Sequence, residues 1–149
     1  LAEPAVVLAS LSRRLRPGGL LAVEDIDLAG HFAHPPSAAL KRFCELYDTV
    51  VRRGGGDPEI GPRLPLLIRR CGLVDSGVNL AQTVAMVGEA KRLPAITMQA
   101  IGPARVAQRL ASASDVAATV QELEAYAANP DTLTGTPRIV QAWGRRPAV

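Results

Sequence analysis

The stretch 11–27, LSRRLRPGGLLAVEDID, limits what this chain can fold into more than any other. Leu8, Leu11 and Leu15 recur at helical spacing, and Pro4 suits a first helical turn. Arg13, Arg14 and Arg16 stand where cations complement a helix carboxyl end, and Pro17-Gly18-Gly19 stops the helix. Residues 20–23 follow as a short unalternated apolar run. That run predicts a strand buried on both faces and leading straight into Glu24, Asp25 and Asp27. A helix joined by a tight turn to a buried strand is one half-turn of an α/β winding, and acids at the end of such a strand face a ligand crevice.

Further along, residues 29–36, AGHFAHPP, read as a loop. Ser37 is placed to cap a helix carrying Leu40, Phe43, Tyr47 and Val50 on one face, closed by Gly54-Gly55-Gly56. A second helix opens near Asp57-Pro58-Glu59, with first turns made irregular by Pro62 and Pro65. It aligns Leu64, Leu67, Ile68 and Cys71 before Gly72 ends it. Residues 74–84 predict a strand, and residues 89–110 two or three short helices broken at Pro94 and at Gly102-Pro103. Ser112 or Ser114 caps a further helix that Asn129-Pro130 stops. Residues 132–137 read as loop, and 138–143 as a last strand.

The chain has 149 residues, 48% of them hydrophobic and 21% charged, which suits one globular domain. No apolar run approaches the roughly 18 residues that span a bilayer, and no secretory leader pattern is present, so a cytoplasmic protein is expected. The chain begins at Leu1 directly before a helix, which suggests a piece of something longer. Its net charge of +3 comes almost wholly from arginine, in pairs at apparent helix ends, and aromatic residues are only 3%. Without a stacking platform, nucleic acid is not the expected partner. Cys44 and Cys71 lie within apolar helical patterns and read as reduced core thiols.

Taken in order, these elements resemble the carboxyl-terminal half of a class I S-adenosylmethionine-dependent methyltransferase. The residues that carry the likeness are Leu15-Arg16-Pro17-Gly18-Gly19-Leu20, then Val23-Glu24-Asp25, then Gly56-Asp57-Pro58 with Gly61-Pro62-Arg63-Leu64. The helix end at residues 67–73 and Gln141-Ala142-Trp143-Gly144 complete the set. The resemblance implies a partial Rossmann-like α/β sheet from a seven-stranded order 3-2-1-4-5-7-6. Residues 20–23 would be its fifth strand, residues 74–84 its sixth and residues 138–143 its antiparallel seventh. Residues 28–56 and 88–135 would be helical insertions that cap an acceptor site. It also implies S-adenosylmethionine as cofactor of the full-length protein. The family's first strand, its glycine-rich loop and the acid after its second strand have no counterpart here, so the piece alone is expected to be inactive.

The catalytic candidates are Asp25, favoured by the resemblance, and His31, with His34 as a second histidine able to act as a base. Glu24, Asp27, Asp57 and Arg63 are the candidates for holding a small-molecule acceptor. Asp57 equally suits a helix cap and Arg63 a structural ion pair. The His31/His34 spacing has no evident third ligand, so no metal is expected. A competing reading is a non-catalytic module that self-associates through an exposed apolar strand edge at residues 20–23, giving a homo-oligomer.

Overall fold

The computed structural model describes residues 3–107 and 109–148. Helices and strands follow in the order α1 Pro4–Arg14, β1 Leu20–Asp27, β2 Phe32–His34, α2 Ala38–Arg53, α3 Leu64–Arg70, β3 Val74–Ala81, β4 Val84–Ala85, α4 Glu89–Ala107, α5 Ala113–Ala128, β5 Leu133–Gly135 and β6 Arg138–Arg145. The fold is mixed α/β, with two three-stranded antiparallel sheets ordered β1-β6-β3 and β2-β5-β4. Because β6 runs antiparallel to both of its neighbours, β1 and β3 point the same way.

The two sheets form one frame of three ribbons. β1 continues into β2, β3 into β4, and β5 into β6, with the last ribbon in the middle of both sheets. Each ribbon breaks at the same level, at residues 28–31, 82–83 and 136–137. There the side-chain amide of Gln82 takes over from the backbone ladder. Its Nε2 donates to the Gly30 carbonyl at 2.7 Å and to the Thr136 carbonyl at 2.7 Å, one on each other ribbon. Thr136 N–H donates to the Thr83 carbonyl at 2.9 Å, and Thr83 N–H to Thr136 Oγ1 at 3.3 Å. Backbone polar groups away from water need such partners.

This frame corrects several expectations. β1 runs to Asp27 because β6 pairs with it residue for residue, from Leu20 opposite Arg145 to Asp27 opposite Arg138. Its burial alternates, and it is not covered on both faces. The expected loops at 29–36 and 132–137 each contain a strand, and the expected single strand at 74–84 is interrupted at the break. α4 is one helix despite Pro94 and Pro103. Pro94 forfeits only the bond to the carbonyl of Ala90, while Ala95 and Met98 are buried and hold the helix in place.

Two cores flank the frame. Leu21 and Val23 of β1 pack with Ala142 of β6 against Leu8 of α1 and Leu64, Leu67 and Ile68 of α3. The second core joins the three remaining helices through Ala39, Leu40 and Phe43 of α2, Ala95 and Met98 of α4, and Leu123 of α5. Ser37 caps α2, accepting from Leu40 N–H at 3.2 Å, and Ser112 caps α5 in a reciprocal box with Asp115. Lys91 is buried, and its Nζ donates to the carbonyls of Met86, at 2.9 Å, and Asn129, fixing the start of α4 to the end of α5. Removing the Gln82 amide strands two carbonyls at the break. Gln82→Leu is therefore expected to cost about 1–3 kcal/mol, read as a lowered urea midpoint.

Candidate functional site

Two clefts meet at the end of β1, and Ile26 and Tyr47 line both. The first, of about 390 Å³, runs along the free edge of β1 between α1 and the end of α2. Glu24, Asp25 and Asp57 line it together with Val7, Leu11 and Val51. The second, of about 400 Å³, lies beneath α2 and α4, and His31 lines it. Apart from His31, its walls are apolar residues, the phenol of Tyr47 and the hydroxyls of Thr83, Thr97 and Thr136. Among the described residues none brings a carboxylate, ammonium or guanidinium into it.

His31 is placed by local geometry. A 3-10 turn over Leu28–Gly30 follows β1, and His31 N–H closes it on the Leu28 carbonyl at 2.9 Å. Arg138 secures that turn from the side. Its guanidinium pairs with the buried carboxylate of Asp27 at 2.6 Å and packs directly over Gly30, where a β-carbon would collide with it. The imidazole stands edge-on to Phe43, ring centres 6.0 Å apart, with Nδ1 3.8 Å from Cys44 Sγ. Its Nε2 is buried and has no hydrogen-bonding partner among the described residues. Burial lowers its pKa from 6.5 to about 4, so the ring is neutral at physiological pH. Burial, reinforced by Glu45, pushes the Cys44 thiol up to about 11, so it stays protonated.

The remaining candidates are differently occupied. Asp25 is exposed, and its Oδ1 accepts from the amide of Ile26 at 2.8 Å. Glu24 accepts from Gln141 Nε2 at 2.9 Å, and Gln141 accepts from Asn79 at 2.8 Å, a polar ladder across the open sheet face. Asp27 is committed to Arg138. Asp57 and Arg63 pair with each other at 2.7 Å, while Asp57 Oδ1 accepts from Glu59 N–H at 3.0 Å. Partial burial pulls the Asp57 carboxyl upward, but the Glu59 amide, Arg63 and Arg52 together hold it below its ordinary value. His34 is exposed on β2 and lines neither cleft. The structure thus gathers Glu24, Asp25 and Asp57 in one cleft and sets His31 alone in the other.

Sequence reasoning passed over Arg138 and Gln82; Tyr47, expected on one face with Leu40 and Phe43, packs against their core and also lines both clefts. A cation at the first position of the last strand, opposite an acid at the end of the first, was the available signal for Arg138. Among the described residues no group of three or more His, Cys, Asp or Glu is placed to hold a metal ion, and no helix is long and apolar enough to cross a membrane. No protein-family model and no curated protein matches this chain.

The His31 shift has a sign that can be tested. Between pH 6.5 and about 4 the unfolded chain takes up a proton that the folded ring refuses. The stability His31 contributes is therefore full above pH 6.5 and is lost as pH falls toward 4. Urea midpoints measured from pH 7.5 to 4.5 are expected to fall more steeply in the wild type than in His31→Phe.

Proposed function

We propose that this chain is the acceptor-side portion of an S-adenosylmethionine-dependent methyltransferase acting on a small molecule. The observation that carries the reading is the sheet order β1-β6-β3 with its middle strand reversed, the arrangement that a 5-7-6 assignment requires. Two further features support it. α2, between β1 and β3, shares one core with α4 and α5, between β4 and β5, as the parts of a cap would. The edge of β1 away from β6 is free, and there the fourth strand of such a sheet would lie.

The described residues do not fit the cofactor itself. Gly18, at φ +74°, turns a helix into a strand, and Gly54-Gly55-Gly56 ends α2. Neither follows a strand and opens a helix, the geometry that cradles a cofactor in such folds. What the described residues supply in this reading is acceptor binding. The cleft walls are mainly apolar, and His31, neutral and with Nδ1 facing Cys44 Sγ, offers Nε2 for a hydrogen bond to an acceptor's polar group. Asp25 is the second candidate base, in the adjoining cleft.

Calorimetric titration with S-adenosylmethionine tests the reading. The 149-residue chain is expected not to bind it, and a chain extended upstream of Leu1 is expected to bind. Absence of binding by the extended chain would refute the methyltransferase assignment.

A second reading, a self-associating module, is favoured by that same edge. β1 is hydrogen-bonded on one side only, and Leu20 on it is 48% exposed. Unprotected apolar edges pair with other chains. Light scattering is expected to show an oligomer that Leu20→Lys with Ala22→Lys dissociates; a monodisperse monomer at high concentration would dismiss this reading.

A further inference from the structure

The cleft beneath α2 and α4 combines features that specify its occupant. Its volume of about 400 Å³ falls within the roughly 300–1,000 Å³ of small-molecule sites. Ile26, Leu28, Phe43, Leu93, Pro94 and Ile139 make its walls apolar. A charged ligand would be desolvated there without compensation. An aromatic ring would meet the faces and edges of Phe43 and Tyr47, themselves tilted 43° to each other at 5.9 Å. The His31 side chain lines this cleft, and its buried Nε2 has no hydrogen-bonding partner among the described residues. Buried polar groups are normally paired, so this nitrogen marks where a ligand's single polar group completes the site.

We propose that this cleft binds an uncharged, ring-bearing apolar molecule through one hydroxyl group hydrogen-bonded to His31 Nε2. The inference deepens the acceptor-side reading and depends on it only for the ligand's later fate. Binding itself needs no cofactor. Three residues then determine selectivity: His31 recognises the hydroxyl, while Phe43 and Leu93 grip the ring from α2 and α4. Phe43 and His31 are fixed relative to each other by their edge-on contact, so the hydroxyl and the ring are read together.

Three probes of one ring size test this on the 149-residue chain: 1-naphthol, naphthalene and 1-naphthoate, titrated by ligand fluorescence. 1-Naphthol is expected to bind about tenfold tighter than naphthalene, the factor that one net hydrogen bond of about 1.4 kcal/mol supplies, and 1-naphthoate not at all. His31→Phe is expected to reduce 1-naphthol to the affinity of naphthalene while leaving naphthalene unchanged. Leu93 is partly exposed, so Leu93→Trp fills the cleft with little cost to folding, and it is expected to abolish binding of both. Equal affinity of the wild type for 1-naphthol and naphthalene, preferred binding of 1-naphthoate, or no binding at all would overturn the proposal. Binding of 1-naphthol that persists while the extended chain fails to bind S-adenosylmethionine would leave this site standing and refute only the methyltransferase reading.

Discussion

Everything else in the molecule rests on how three ribbons pass one common break. A backbone ladder cannot continue where residues 28–31 bulge on one ribbon against two residues on each of the others, and unpaired carbonyls there would be costly. One side-chain amide solves this. Gln82 has two N–H donors on a single nitrogen, and each reaches a carbonyl of a different ribbon. A carboxylate in its place could not donate. The break lets β1 and β3 serve the core of α1 and α3, while β2 and β4 swing toward the three-helix layer of α2, α4 and α5.

The candidate site is a consequence of that break. The residues that leave β1 to turn toward β2 include His31, so the device that re-aims the chain also puts an imidazole under α2. Asp27 and Arg138 then clamp the turn, and Gly30 gives the guanidinium room. Beside Phe43 and Cys44 the ring is partly buried without gaining an ionised partner, which is why it stays neutral. A neutral imidazole in an uncharged cleft suits a hydrogen bond with a hydroxyl. The acids of β1, by contrast, lie in the neighbouring cleft or are spent on structure.

The legible parts of the fold were those set by local chemistry. Ser37 and Ser112 cap helices, Gly72 ends α3, and residues 20–23 and 138–143 lie in strands, because each follows from side chains within a few residues. The short strands β2 and β5 were not legible. Their residues include Gly135 and stand beside Pro35 and Pro137, so turn chemistry dominated, and it is pairing with each other and with β4 that makes them strands. α4 was misread at Pro94 for the converse reason, since tertiary packing outweighs a single lost hydrogen bond. Of the site, His31 was visible as a histidine in a loop beyond a strand. Its isolation from the acids was not, because face and register decide it and both depend on β6, more than a hundred residues away.

At the centre of the site is a neutral imidazole held in a mainly apolar cleft. Nuclear magnetic resonance titration of the His31 ring reads it directly. The account requires a midpoint near pH 4, with one protonated and one bare ring nitrogen throughout the neutral range. A midpoint near 6.5, the value of a solvated imidazole, would show that the cleft does not shield the ring and would contradict the account.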